Sequence, residues 1–443
     1  MSNSQPPNIV FILADDLGWA DLSVYGQTDF QTPHLDLLAA QGVRFTQAYA
    51  NSAVCSATRF ALITGRYQYR FRGGLEEPLV SKAHLHGLPP EHPTLPSILR
   101  DNGYATALIG KWHLGNLPNF GPLKSGYQRF FGNYGGAIDY FTHKPGVSEA
   151  VPRDLYEGEV PVERIGYYTQ LLADESSAWI KSQPKDKPFF LSLHFTAPHW
   201  PWVGPEDEGV SQNLKDLFHY DGGNLLTYAK MVRSLDAGVG QVLQTLTEQG
   251  LNDNTIVVFS SDNGGERFAK TWPFTGQKTE LLEGGLRVPT LLRWPAKLKP
   301  QVSDQVTISM DWFPTLLAAA GLAPHPAYQP DGENILPVLK QDRPAYERTL
   351  FWRYKAQAQR AARVGDYKYL KINDNEFLFD VVNDTLERAN LRHINPEIFA
   401  KLRQQWEAWN AQFFPITDDV FTHGLTPDIQ ADRYSPERPT RAL

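Results

Sequence analysis

Short apolar runs alternate with segments of helical spacing along most of the chain. Asn8–Ala14 (NIVFILA) is apolar at nearly every position, the pattern of a strand buried on both faces. Residues 104–109, 189–195 and 255–260 read the same way. Between these runs, residues 35–41, 169–181, 225–249 and 310–320 carry apolar positions three and four apart, which predicts helices. Thr32-Pro33 reads as an N-cap with proline in the first helical position. The alternation predicts an α/β fold, a large, mostly parallel sheet sandwiched by helices. After about Asp331 the pattern changes. Residues 350–354, 361–372 and 376–381 read as short strands, and 395–411 as one helix. This predicts a smaller C-terminal antiparallel sheet with a covering helix, and a division into residues 1–330 and 331–443. The stretch from Pro415 onward is polar and proline-containing, either wrapped over the large unit or loose.

Composition narrows the function class only slightly. The chain has 443 residues, 42% hydrophobic and 21% charged, an ordinary globular balance. Its net charge of −7 argues against a nucleic-acid partner, for which a basic surface is expected. It leaves an anionic substrate open, because a local cluster of cations can outweigh the global sign. No run approaches the length of a membrane span, and the N-terminus has neither a basic segment nor a cleavage site. The expectation is a cytoplasmic protein as written, or a periplasmic or secreted one if a leader has been removed. Oligomeric state is not legible.

Chemistry collects just after the predicted strands, where open α/β sheets form their sites. The first strand ends in Asp15-Asp16, and the second runs into Gly110-Lys111-Trp112-His113-Leu114-Gly115. The third runs into Ala197-Pro198-His199-Trp200-Pro201, and the fourth into Ser261-Asp262-Asn263-Gly264-Gly265. Asp15, Asp16, Asp262 and Asn263 are all oxygen donors. Adjacent carboxylates repel unless a cation lies between them, and such a donor set suits a hard divalent ion, calcium ahead of magnesium. Either pair alone would read as a helix cap or a turn. Lys111 alone would read as a surface lysine, His113 as a structural histidine and His194 as a core histidine. On an extended segment, Lys111 and His113 would point the same way.

The only cysteine in the chain is Cys55, in Cys55-Ser56-Ala57-Thr58-Arg59 followed by Phe60-Ala61-Leu62-Ile63-Thr64-Gly65-Arg66. A lone thiol is a buried bystander, a nucleophile or a chemically altered residue. A helix is expected to begin here, with Cys55 and Arg59 on one face and an anion-favouring N-terminus.

This run resembles the signature of the type I sulfatases of the alkaline phosphatase superfamily, Cys-x-Pro/Ala-x-Arg followed by Leu-x-Thr-Gly-Arg. Ala57 stands where the commonest form has proline. Gly110–Gly115 and Thr275-Gly276-Gln277-Lys278, leading to Glu283 through Pro289, resemble further segments of that family. The likeness extends from Asn8 to about Leu391. It implies an alkaline-phosphatase-like fold and hydrolysis of a sulfate ester of a sugar or an aryl alcohol. It implies oxidation of Cys55 to Cα-formylglycine by a maturation enzyme, the geminal diol then attacking sulfur. It implies calcium held by Asp15, Asp16, Asp262 and Asn263. Lys111, Lys278 and His199 would neutralise the sulfate, and Arg59 would orient residue 55. Asp262 could accept a proton, His199 with Lys278 would protonate the leaving alcohol, and His113 would take the proton whose loss expels sulfate. Arg287 would be structural.

Two rival readings accompany this one. A phosphatase or phosphonate monoester hydrolase can share the fold and the signature. A non-catalytic binder of sulfated glycans would keep Cys55 as a thiol. Trp200 and Trp202 could stack on a sugar, and Arg70, Arg72 and Arg267 could meet further anions, although each of the five alone reads more simply as structural or surface.

Overall fold

The computed structural model describes residues 5–433. Asn8–Ala14 lies in the middle of a ten-stranded sheet, parallel to Phe189–His194 on one side and to Thr255–Ser261 on the other. Ala105–Gly110 and Arg129–Gly132 continue the parallel set. Thr290–Arg293 then pairs antiparallel with both Thr255–Ser261 and Val43–Phe45, so the sheet is mixed at its flank.

The two faces of the central strand explain its unbroken apolar run. Val10, Ile12 and Ala14 pack into one buried cluster with residues of the helices Tyr168–Lys181 and Leu225–Glu248. Ile9, Phe11 and Leu13 pack into the other, with residues of Cys55–Thr64, Leu95–Asp101 and Trp312–Ala319. Successive side chains of a strand leave opposite faces, so a strand covered twice is apolar on both, here at every position after Asn8.

The smaller sheet is antiparallel, with Thr349–Tyr354, Gln359–Val364, Tyr367–Ile372 and Asn375–Asp380 in sequential order. Helix Pro396–Asn410 packs Leu402, Trp406 and Trp409 into its core, a core shared with Ala53, Val54 and Ala57 beside the lone cysteine.

Three local expectations change. Residues 361–372 form a hairpin rather than one strand, because Gly365 at φ +54° turns the chain between Val364 and Tyr367. The helix expected from 310 begins as a 3₁₀ turn at Ser309–Asp311 before the α-helix Trp312–Ala319. Thr32 precedes a helix with Pro33 at its start, but its hydroxyl accepts from the Ser23 N–H instead of capping. Of the polar C-terminal stretch, residues up to 433 are described, and Thr422 pairs with Glu77 alongside the large sheet's loops. Residues 434–443 lie outside the described part. No described helix is long and apolar enough to cross a membrane.

Candidate active site

Parallel strands bring three carboxylates together at one edge. The Asp15 N–H donates to Ala197 O (3.2 Å) and the Asp262 N–H to Ala14 O (3.1 Å), so three strand ends are tied to one another. The Asp16 N–H reaches Asp262 Oδ1 at 3.3 Å. Asp16 itself has φ +63°, a conformation that costs a non-glycine residue energy and recurs at functional sites. Asp15, Asp16, Asp262 and Asn263 are all buried.

Three cations surround them. Arg59 rises from the helix Cys55–Thr64 and grips Asp262 Oδ2 through Nε (3.0 Å) and Nη2 (2.8 Å), with Nη2 also 3.3 Å from Asp15 Oδ2. Lys111 pairs with Asp15. Lys278 Nζ lies 2.6 Å from Asp16 Oδ2 and 3.8 Å from Glu266 Oε2. With all four carboxylates ionised against three cations, the cluster carries one formal negative charge, which a single divalent ion would reverse to plus one. Two buried oxygens, Asp15 Oδ1 and Asn263 Oδ1, have no hydrogen-bond partner among the described residues. An unmet buried oxygen costs about 1–3 kcal/mol. Bare oxygens in an all-oxygen donor set fit calcium. Burial, with Asp15 beside it, pushes the Asp262 carboxyl up to about 7.

Cys55 occupies the first turn of its helix. Its Sγ and an oxygen each of Asp15 and Asp262 lie within 4.8 Å of one another, as do ligand atoms of Asp15, Asp16 and His199. Burial pushes the thiol up, so an unmodified Cys55 is a poor thiolate nucleophile. Above it opens a cavity of about 530 Å³, lined by Cys55, His113, His199, Trp200, Glu266 and Lys278 among others.

The two histidines present opposite tautomers. Leu79 O lies 2.8 Å from His113 Nε2, which must carry the proton; Nδ1 is left bare, with no partner among the described residues. Trp200 O lies 2.7 Å from His199 Nδ1, so there Nε2 is the free atom, 3.6 Å from Asp16 Oδ2. Burial, with Lys111 beside the first and Lys278 beside the second, holds both well below the usual histidine value. Burial alone would lower Lys278, but Asp16 and Glu266 outweigh it and hold the ammonium well above its ordinary value.

Every site residue expected from the sequence lies in this cluster or on the cavity's wall. One geometric expectation fails. Lys111 and His113 do not share one face of an extended segment, because Gly110 (φ +116°) ends the strand and His113 has φ +58°. A Cβ at Gly110 would stand 1.9 Å from His194 O, so the chain can turn there only with glycine. Lys111 therefore points down to Asp15, while His113 lines the cavity. His194 lies under the site, its Nδ1 3.2 Å from Lys111 O. Trp200 lines the cavity, whereas Trp202 is buried beneath the Arg267 guanidinium, 4.0 Å from its ring centroid. Arg70 pairs with Asp331, and Arg72 with Glu76 and Asp419. Arg287 is buried against Glu283.

Glu266, Phe218 and His423 also line the cavity, and none belongs to the motifs that mark the site in the sequence. Glu266 lies three residues past Asn263 in the same loop, a signal within reach. Nothing local marks His423, which comes from the polar C-terminal stretch.

The sulfatase family model matches residues 7–322, and a model of the C-terminal part of N-sulphoglucosamine sulphohydrolase matches residues 276–412. The chain belongs to the sulfatase family. Like its relatives, this sulfatase is a sulfuric ester hydrolase. N-acetylgalactosamine-6-sulfatase of Homo sapiens is 35% identical over 385 residues, spanning 82% of this chain and 71% of that protein. Arylsulfatase A of Homo sapiens is 33% identical over 398 residues, spanning 82% and 75%. The crystal structure of Ps i-CgsB in complex with k-i-k-neocarrahexaose superposes with a TM-score of 0.85 at 30% identity over 96% of each chain. The phosphonate monoester hydrolase of Agrobacterium radiobacter, with a TM-score of 0.64 at 20% identity over 94% of this chain and 99% of that one, shares the fold alone.

Proposed function

We propose that this sulfatase releases inorganic sulfate from a sulfated sugar, with Cys55 matured to formylglycine and one calcium ion bound by Asp15, Asp16, Asp262 and Asn263. The observation that carries the reading is the cavity floor, where the single cysteine meets a carboxylate cluster holding two bare oxygens. Formylglycine would supply a hydrated aldehyde as nucleophile, and calcium would supply positive charge at a sulfate oxygen. The sugar assignment is supported by the name of the N-acetylgalactosamine-6-sulfatase relative and by the oligosaccharide in the Ps i-CgsB crystal.

The chain's own residues then divide the work. Lys278 and Lys111 neutralise the anion, and preplaced charge of this kind is the largest catalytic contribution in most such sites. Arg59, its N–H groups already given to Asp262 and Asp15, braces the carboxylates and adds a fixed positive charge beneath residue 55. Asp262 can accept a proton from the nucleophile. The doubly protonated form of His199, populated on the acid side, delivers its Nε2 proton to the departing alcohol while Nδ1–H stays on Trp200 O. His113, with Nδ1 bare, takes the later proton whose removal accompanies release of sulfate.

Co-expression with a formylglycine-generating enzyme tests the reading. Intact mass should show residue 55 converted, the protein should release sulfate from sugar sulfates faster than it cleaves phosphonate monoesters, and Cys55→Ala should fold and be inactive. Sulfate release by Cys55→Ala, or a converted protein that prefers phosphonates, would overturn it.

A further inference from the structure

Beyond the sulfate pole, the cavity changes character. Lys278 is the one Lys or Arg among its described lining residues, and Asp16 already holds it. The rest of the wall carries the opposite sign or none. Glu266 is buried, accepting from the Trp200 indole N–H (3.2 Å). Asp216 lies at the rim, its Oδ1 accepting from the His219 N–H (3.1 Å). The nearby Arg267 is spent elsewhere, donating to His219 O (2.9 Å) and Phe218 O (3.2 Å) with its plane over Trp202. Aromatic faces run outward between these acids. Trp200 and Phe218 have ring centroids 4.5 Å apart, and the His423 ring lies near-parallel to Phe218 at 6.1 Å. Phe218 is 38% exposed and stacks parallel to Tyr220 at 5.4 Å, so the aromatic wall continues to the rim. Burial and the neighbouring Lys278 hold His423 below its usual value, which keeps that ring neutral.

Aromatic faces favour the C–H face of a sugar ring, and carboxylates accept hydrogen bonds from its hydroxyls. A second anion on that ring would meet carboxylates, and the one lining cation, Lys278, is already shared between Asp16 (2.6 Å) and Glu266 (3.8 Å). Resting on the sulfatase reading above, we infer that the sugar ring bearing the scissile sulfate carries no second anionic group, and that Glu266 and Asp216 are the specificity-determining residues that exclude one. A like charge at about 6 Å and an effective dielectric near 20 lowers transition-state affinity by roughly 10²-fold.

The test compares the 4- and 6-monosulfates of N-acetylgalactosamine and methyl galactoside with the 4,6-disulfate of the same sugar, using matured protein. Where no sugar ester turns over, the same compounds are ranked as competitors of 4-nitrophenyl sulfate hydrolysis. The expected result is a kcat/KM, or a competition constant, about 10²-fold poorer for the disulfate than for the better monosulfate. Glu266→Gln should narrow that ratio about tenfold, and Asp216→Asn, on the exposed rim, by a smaller factor screened by salt. The ratio is the readout, because Glu266 also touches the Lys278 neighbourhood. A disulfate within threefold of the monosulfate, or an unchanged ratio in Asp216→Asn together with Glu266→Gln, overturns the inference. Failure to hydrolyse even 4-nitrophenyl sulfate would instead overturn the proposed function, and the inference with it.

Discussion

His199→Ala separates proton donation from sulfate binding. Two groups stand ready to protonate the leaving alcohol, His199 and Lys278, and their surroundings push them in opposite directions. Burial and the adjacent ammonium hold His199 well below its ordinary value, whereas Asp16 and Glu266 hold Lys278 well above its own. Groups pushed apart in this way take different roles. A lysine bound 2.6 Å from a carboxylate is a poor acid and a good fixed charge. His199, with Nδ1–H fixed on Trp200 O, has only Nε2 to offer. General acid catalysis contributes about 10²–10⁴-fold, or roughly 3–5 kcal/mol at 1.36 kcal/mol per tenfold. His199→Ala should therefore lose that much kcat/KM on a sugar sulfate, whose alkoxide cannot leave unprotonated. It should lose less than about tenfold on 4-nitrophenyl sulfate, whose phenolate can. The pH profile gives a second readout. A histidine with a lowered value is protonated only on the acid side, so wild-type kcat/KM on the sugar ester should fall as pH rises, and this fall should vanish in the variant. Steady-state kinetics on both substrates from pH 5 to 9 decides. Equal losses on the two substrates would refute proton donation by His199 and leave it as a sulfate contact.

His113→Ala should release 4-nitrophenol in a rapid burst equal to the enzyme, then slow at least about 10²-fold, because only the later proton transfer is impaired; stopped-flow absorbance without a burst would count against it. Asp15→Asn should lose calcium and activity together, and metal analysis of the wild type should find one calcium per chain; stoichiometric zinc, or full activity after exhaustive chelation, would contradict the site. Glu77 is buried under the C-terminal stretch, accepting from the Lys355 N–H and the Thr422 hydroxyl, and burial pushes it up to about 8. Its folded value exceeds the unfolded one, so its share of stability is present below about pH 4.5 and is lost as pH rises through 8, at most about 5 kcal/mol. The thermal midpoint should thus fall between pH 6 and 9 in the wild type and fall less in Glu77→Gln; parallel curves would show that Glu77 ionises freely.

Much of this molecule was legible from local pattern. A strand covered on both faces must be mostly apolar, so Asn8–Ala14 and its neighbours announced themselves, and the polar residues just after each run marked the site's edge. The Cys55 run and the residues Asp15, Asp16, Asp262 and Asn263 were visible as chemical types, because a hard cation and an anion each demand particular donors. The tertiary structure decided which of these groups meet and how they are spent. Lys111 pairs with Asp15 while His113 lines the cavity because the strand ends at Gly110, which has no room for a Cβ against His194 O, and His113 itself takes φ +58°, neither of which spacing along the chain carries. Arg59 serves the carboxylates because the helix Cys55–Thr64 docks against the strand ends, and the tautomers of His113 and His199 are set by two carbonyls, Leu79 O and Trp200 O. The acidic and aromatic far wall joins Glu266, Asp216, Phe218 and His423 from segments far apart in the chain. Periodicity reports only the neighbours a residue has within its own element. A cavity wall is built by long-range packing, so its charge, and with it the choice of substrate, existed only once the chain had folded.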